Sequence, residues 1–241
     1  MRLDVAVTPA VLRADAVAAS TVLVVDVLRA STTIVTALAN GCAGVIPVAD
    51  ADTARARAAG EPGALIAGER RGEPLEGFDL GNSPLEFTAP RVGGRTVVFT
   101  TSNGTKALLA VREAPAVGVA GFVNLGAATA WALAGGRDIL VVCSGERGAQ
   151  SLEDLVCAGL IVERALGAEP SAATTGPARE ALDLGRRYGK DVARLREDSR
   201  WARHLVSRGR GDDVRACLAL DTSALVPVYR ADVDKVVSGP R

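Results

Sequence analysis

Along the chain, short apolar β-branched runs alternate with polar loops of small residues and with segments of helical period, and this unit recurs three times. The first is Thr21-Val-Leu-Val-Val-Asp26, then Val-Leu-Arg-Ala-Ser-Thr-Thr33, then Ile34, Val35 and Leu38 on one helical face with Gly41 as a stop. The second is Thr96-Val-Val-Phe-Thr100, the loop Thr101-Ser-Asn-Gly-Thr105, then Ala107, Leu108 and Val111. The third is Asp138-Ile-Leu-Val-Val-Cys143, the loop Ser144 to Gln150, then Ser151-Leu-Glu-Asp154 opening a helix to about Leu166. Further strands are predicted at Gly44 to Val48, Leu65 to Ala67, Ala116 to Val119 and Leu225 to Val228. The stretch from Gly68 to Pro90 has no strong period and predicts an ordered loop. The segment from about Ser171 to Arg215 is charged and helical, with Leu182, Leu195, Leu205 and Val206 facing inward.

Near-continuous apolar strands alternating with helices predict a sheet covered on both faces. This is the α/β class: a three-layer α/β/α arrangement with a mostly parallel or mixed sheet and a helical C-terminal addition. Ligands bind such sheets outside the strand C-terminal ends, so all three polar loops are expected on one rim. The 241 residues predict a single domain over 1–241, with two closely packed subdomains (about 1–125 and 126–241) as the other division.

Charge narrows the partners. Lys plus Arg and Asp plus Glu each total 28, so no net field draws nucleic acid or an anionic membrane, and aromatics, at 3%, are too few for stacked-base recognition. The partner expected is a small molecule held locally. A single histidine, His204, excludes a poly-His zinc site; it lies in a charged helical segment and reads as structural. Cys42, Cys143, Cys157 and Cys217 form no C-x-x-C pair and read as small buried hydrophobes in a reducing compartment. An acid at position 4 and the absence of a long apolar run predict a cytoplasmic protein.

Ser31, Thr32 and Thr33, then Thr100, Thr101, Ser102, Asn103, Gly104 and Thr105, place short hydroxyls and free N–H groups at two helix entrances, which suits phosphate or another compact oxyanion. The same residue types are ordinary N-caps. Arg29, between a strand end and a helix start, could take an anion bidentately or form an edge salt bridge. Asp26 ends an apolar strand, where an acid is costly unless paired or bound. With Asp154 or Glu153 it supplies the one or two carboxylates a Mg²⁺ ion takes beside water and phosphate oxygens. Ser151-x-x-Asp154 also reads as a capping box.

The familiar phosphate signatures are absent. Gly104-Thr105-Lys106-Ala107 lacks the Walker core, no cysteine is followed six residues later by arginine, and Asp50-Ala-Asp52 opens a charged, Ala-rich helix. Taken together, however, Val25-Asp-Val-Leu-Arg-Ala-Ser-Thr-Thr33, Gly68-Glu-Arg70, Gly77-Phe-Asp-Leu-Gly-Asn-Ser-Pro84, Thr100-Thr-Ser-Asn-Gly-Thr105 and Ser151-Leu-Glu-Asp154 with Ala158-Gly159 resemble the 2-phosphosulfolactate phosphatase family of coenzyme M biosynthesis. The resemblance spans nearly the whole chain and weakens over about Gly167 to Asp221. It implies a Mg²⁺-dependent phosphomonoesterase that converts 2-phospho-3-sulfolactate to 3-sulfolactate. It adds Glu69 as a catalytic candidate, Arg70 and Asn82 as substrate contacts, and Asp79 as a site residue or loop brace. Cys143-Ser144-Gly145 with Gly148 fits the family's third loop, bringing in Ser144 and Gly145.

The resulting expectation is metal-assisted hydrolysis. Mg²⁺ sits on Asp26 and Asp154, Arg29 and the Thr101 to Thr105 amides neutralise charge, and Glu69 handles water or the leaving alkoxide. A covalent phospho-aspartate at Asp26 is the alternative course, and the sequence does not separate the two. A non-catalytic binder of a phosphorylated or sulfonated metabolite is the competing function, and a homodimer is the open assembly expectation.

Overall fold

The computed structural model describes residues 1–239. Its elements, in chain order, are β1 (Arg2–Ala6), α1 (Ala14–Ala19), β2 (Ser20–Val25), α2 (Ala30–Ala39), β3 (Gly44–Pro47), α3 (Ala51–Ala59), β4 (Leu65–Arg70) and β5 (Glu73–Pro74). Next come α4 (Ala89–Val92), β6 (Thr96–Thr100), α5 (Gly104–Val111), β7 (Ala116–Ala120), α6 (Leu125–Ala134), β8 (Asp138–Cys143) and α7 (Leu152–Ala168). The C-terminal part holds β9 (Ala173–Thr174), α8 (Gly176–Tyr188), α9 (Leu195–Asp198), α10 (Arg200–Ser207), α11 (Gly211–Cys217), β10 (Pro227–Arg230) and β11 (Lys235–Ser238).

The strands pair in the order β5-β4-β6-β3-β11-β10-β7-β2-β8-β1-β9. Two parallel groups, β4-β6-β3 and β7-β2-β8-β1, are joined through the antiparallel β10-β11 hairpin. Side-chain alternation along β2 shows how both faces are covered: Leu23 and Val25 enter one core with α6, α7 and α8, while Val22 and Val24 enter another with α2 and α5. The α/β class with a mixed, mostly parallel sheet therefore holds. The helical C-terminal addition is present as α8 to α11; Leu182, Leu195 and Leu205 are buried as expected, and Val206 is half-buried.

Three expectations need correction. The last predicted strand begins at Pro227 rather than Leu225, with β11 as its hairpin partner. The loop assigned to Gly68 to Pro90 begins as strand: β4 continues to Arg70 and turns back into β5. The polar loops also do not open along one straight edge. Three successive antiparallel pairings separate β3 from β7, so the two parallel groups run in opposite senses through the pairing. Their loops meet because the sheet wraps α2 and α5: α2 touches β3, β7, β10 and β11, and α5 touches both β2 and β3. The N-terminus of α5 thereby reaches Asp26, where a Cβ on Gly104 would lie 2.6 Å from Oδ2.

Small residues let α7 and α8 approach backbone to backbone. A Cβ on Gly185 would lie 2.6 Å from the Gly159 carbonyl carbon, and one on Gly159 would overlap the Ala181 carbonyl oxygen. Gly159→Ala is expected to cost about 3 kcal/mol, because rigid backbone must move to admit the methyl. A urea unfolding curve reads the loss as a lower midpoint at unchanged slope.

Candidate active site

The strand ends of β2, β4, β6 and β8 bound a cavity that includes Asp26, Arg29, Glu69, Asn82, Ser102 and Asn103 in its wall. A smaller pocket adjoins it, sharing Asp26 and Asn103 and adding Gly145, Glu153 and Asp154. Trp201 of α10 lines both and donates its indole N–H to the Leu28 carbonyl at 3.0 Å, so the helical addition closes the site.

Asp26 follows β2 directly and is buried. Its Oδ1 accepts from Ala30 N at 3.2 Å, and Oδ2 accepts no hydrogen bond among the described residues. Burial pushes this carboxyl up to about 7; the Ala30 amide opposes the rise, while the charges of Glu69 and Glu153 add to it. Asp154 is also buried, and burial, with Asp26 and Glu153 beside it, raises its carboxyl well above the usual range. Burial likewise raises Glu153, against a stabilising hydrogen bond from Ser199.

The capping-box reading of Asp154 is half right. Ser151 Oγ accepts from Asp154 N at 3.3 Å and does cap α7. The Asp154 carboxylate instead spans the loops after β2 and β8, accepting from Val27 N at 2.9 Å and Gly145 N at 3.1 Å. Each oxygen retains capacity for a further partner.

Glu69 ties two other loops together. Its Oε1 accepts from Ser102 N at 2.7 Å, and Oε2 accepts from Gly72 N at 2.7 Å and Ser102 Oγ at 3.2 Å. With both oxygens engaged, it positions the α5 entrance. Arg29 is not an open fork: its guanidinium pairs with Asp213 of α11 and donates to the Gly72 carbonyl at 2.9 Å. Ser83 Oγ completes this buried group by donating to Asp213 at 2.6 Å.

The hydroxyls divide by use. Thr101 and Thr105 cap each other, Thr105 N donating to Thr101 Oγ1 at 3.1 Å and Thr101 N to Thr105 Oγ1 at 3.0 Å. Ser102 N is held by Glu69, so of the five amides from Thr101 to Thr105 only those of Asn103 and Gly104 lack an acceptor among the described residues. Ser31 Oγ accepts from Asp26 N within its own turn. Thr32 faces a separate groove beside Ala216 and Ala219. Arg70 turns from the cavity to the Thr100 hydroxyl and the Glu69 and Ala49 carbonyls. Asp79 braces its loop, accepting from Ile66 N at 2.8 Å. The buried Oδ1 of Asn82 and Oγ of Ser144 have no hydrogen-bond partner among the described residues, and Asn82 lies in the cavity wall. His204 is exposed and stacks on Trp201 at 4.8 Å between ring centroids.

Sequence reasoning misses Arg71, Glu146, Arg147 and Trp201 in the wall and Asp213 behind it. Asp213 is 184 positions from Arg29, and no local pattern links them.

No group of three or more His, Cys, Asp or Glu side chains forms a closed metal shell among the described residues. The donor set fits a cation that keeps most of its water: hard carboxylate oxygens, buried together, with Oδ2 of Asp26 accepting no hydrogen bond and no cationic side chain in a salt bridge with Asp26, Glu153 or Asp154 among the described residues.

Comparison with known proteins gives a family-model match to 2-phosphosulpholactate phosphatase over residues 6–232. Three similar proteins each carry the name "Probable 2-phosphosulfolactate phosphatase". That from Gloeobacter violaceus is 41% identical over 195 residues, 80% of each chain. The one from Thermotoga petrophila is 39% identical over 197 residues, 80% of this chain and 82% of the relative. The third, from Clostridium botulinum, is 30% identical over 239 residues, 98% of this chain and 99% of the relative.

Proposed function

Since the chain belongs to the 2-phosphosulfolactate phosphatase family, a family of phosphoric monoester hydrolases, we propose that its cavity hydrolyses 2-phosphosulfolactate to 3-sulfolactate and phosphate with Mg²⁺ as cofactor. The observation that carries this reading is the Asp26 carboxylate, its Oδ2 without a hydrogen bond among the described residues, buried beside Asp154 and Glu153 and against the entrance of α5. Asp26 and Asp154 would hold the cation, with Glu153 adding negative charge. Bound there, Mg²⁺ would supply charge neutralisation for a phosphate that the carboxylates alone would repel.

The chain's own groups set the rest. The free Asn103 and Gly104 amides point the positive end of α5 at phosphate oxygens, favouring charge that develops as the ester P–O bond breaks. Glu69 fixes that entrance through Ser102 N and fixes the β4–β5 turn through Gly72 N. Arg29, neutralised by Asp213, contributes its remaining donors at the wall and locks α11 over the β2–α2 loop. Leu28 and Trp201 cover the approach to Asp26 and limit water to what the reaction needs. Overall, water adds to phosphorus, the ester oxygen leaves with a proton, and phosphate is released.

Phosphate release from 2-phosphosulfolactate is expected to disappear after exhaustive chelation and to return with Mg²⁺. Undiminished release in chelator would contradict the metal assignment. No release under any divalent cation, with the compound still bound, would favour the non-catalytic binder.

A further inference from the structure

Four non-glycine residues have φ in the left-handed region: Arg71 at 57°, Arg147 at 51°, Asp221 at 50° and Asp234 at 51°. Aspartate tolerates that conformation; arginine, with no short side-chain oxygen to bond its own backbone, has no local reason to adopt it. Both arginines line the cavity at the strand ends.

They also occupy the same position in the same device. Arg70 pairs with Glu73 across the two-residue turn Arg71-Gly72, and Glu146 bridges Ala149 across Arg147-Gly148. In each turn the glycine has positive φ as well, at 86° and 80°. Two central residues of positive φ define the type I′ turn, whose first position favours Asn, Asp or Gly. The chain places arginine there twice, once after β4 and once after β8, in two turns far apart in the sequence. Folding is better served by asparagine at each. Neither guanidinium makes a salt bridge or a side-chain hydrogen bond among the described residues, although Glu146 and Glu73 lie close in sequence and pair with Arg200 and Arg208 instead.

Charge points to the occupant. The cavity wall carries Asp26, Glu69 and Glu146, and its one buried cation, Arg29, is already paired with Asp213. A phosphate ester bearing further acid groups would enter this wall against repulsion unless cations met those acids away from the phosphate. Two arginines on turn tips present planar donors suited to carboxylate or sulfonate oxygens.

We propose that Arg71 and Arg147 form an anion-reading pair that selects phosphomonoesters carrying additional carboxylate or sulfonate groups. The assignment rests on the phosphatase reading above for the position of the phosphate. The pair determines specificity and takes no part in breaking the P–O bond.

Arg71→Asn, Arg147→Asn and the double variant test it, since asparagine suits the turn and keeps the fold. Three esters are compared: 2-phosphosulfolactate with two further acids, 2-phospholactate with one, and propan-2-yl phosphate with none. Each single variant is expected to lower kcat/KM for 2-phosphosulfolactate by about tenfold or more, chiefly through KM. The double variant should treat the three esters nearly alike, losing far more on 2-phosphosulfolactate than on propan-2-yl phosphate. Equal losses on all three esters, or no loss on any, would overturn the proposal. Calorimetric binding of 3-sulfolactate against lactate separates this result from the hydrolysis itself. If wild type releases no phosphate from any ester, the phosphatase reading fails, while tenfold weaker 3-sulfolactate binding in the variants still supports the pair and equal binding rejects it.

Discussion

Asp26→Asn is expected to abolish phosphate release and, in the metal-free protein at pH 8, to raise the melting temperature. The two effects have one cause. The Asp26 carboxyl is pushed up to about 7 from its ordinary 3.8, mainly by burial and further by Glu69 and Glu153. Between those values the folded chain holds a proton that the unfolded chain has released, so stability falls as pH rises, and above pH 7 the full penalty is present. At about 1.4 kcal/mol per pH unit the penalty is on the order of 4 kcal/mol. A neutral amide removes the charge but still has to be accommodated, so a net gain of about 2 kcal/mol, or about 5 °C, is expected. Turnover should fall by about 100-fold or more, because a neutral amide is a poor ligand for a hard cation. Melting curves of metal-free wild type from pH 5 to 8 should slope downward, and less steeply in the variant, where the raised Asp154 and Glu153 still titrate, with Mg²⁺ restoring wild type at pH 8. A flat wild-type profile would contradict the buried-charge account.

Asp213→Ala should produce the opposite sign and the largest stability loss. The Arg29 and Asp213 side chains are 3% and 5% exposed, so deleting the carboxylate leaves a guanidinium buried without its counter-ion and Ser83 Oγ without its acceptor. Breaking such a pair costs about 3–5 kcal/mol, a fall of roughly 10 °C in melting temperature for a chain of this length. Replacing both partners together, as Arg29→Met with Asp213→Leu, should recover most of that loss, since two apolar groups need no partner. A thermal scan of the three variants decides: a loss below about 1 kcal/mol in Asp213→Ala would show that water reaches Arg29 and that α11 does not seal the site.

The strand-loop-helix units are legible in the sequence because their strands are buried on both faces and read as unbroken β-branched runs, as in Val22 to Val25 and Ile139 to Cys143. The first strand escapes because only Leu3 and Val5 alternate with the polar Arg2 and Asp4. The last hairpin escapes in part because its outer residues, Arg230 and Lys235, look like a solvated tail until Val236 pairs with Val45. At the site, Asp26 is legible because an acid ending an apolar strand has no inexpensive structural explanation. Asp154 is legible only as a choice between cap and ligand, and its bonds to Val27 and Gly145 depend on two loops meeting. Thr101 and Thr105 carry the composition of an anion loop, yet they spend their groups on each other. Arg71 and Arg147 are silent in the sequence because their meaning comes from turn geometry and a shared cavity.

The central claim is that Asp26 and Asp154 hold a divalent cation at the cavity where phosphate is released. Anomalous diffraction from crystals of this protein soaked with Mn²⁺, which accepts the same oxygen ligands as Mg²⁺, tests it most directly. The account predicts one strong peak in contact with the Asp26 carboxylate and on the Asp154 side of the cavity, lost in Asp26→Asn. Peaks confined to surface carboxylates, or a cavity peak that persists unchanged in Asp26→Asn, would contradict it.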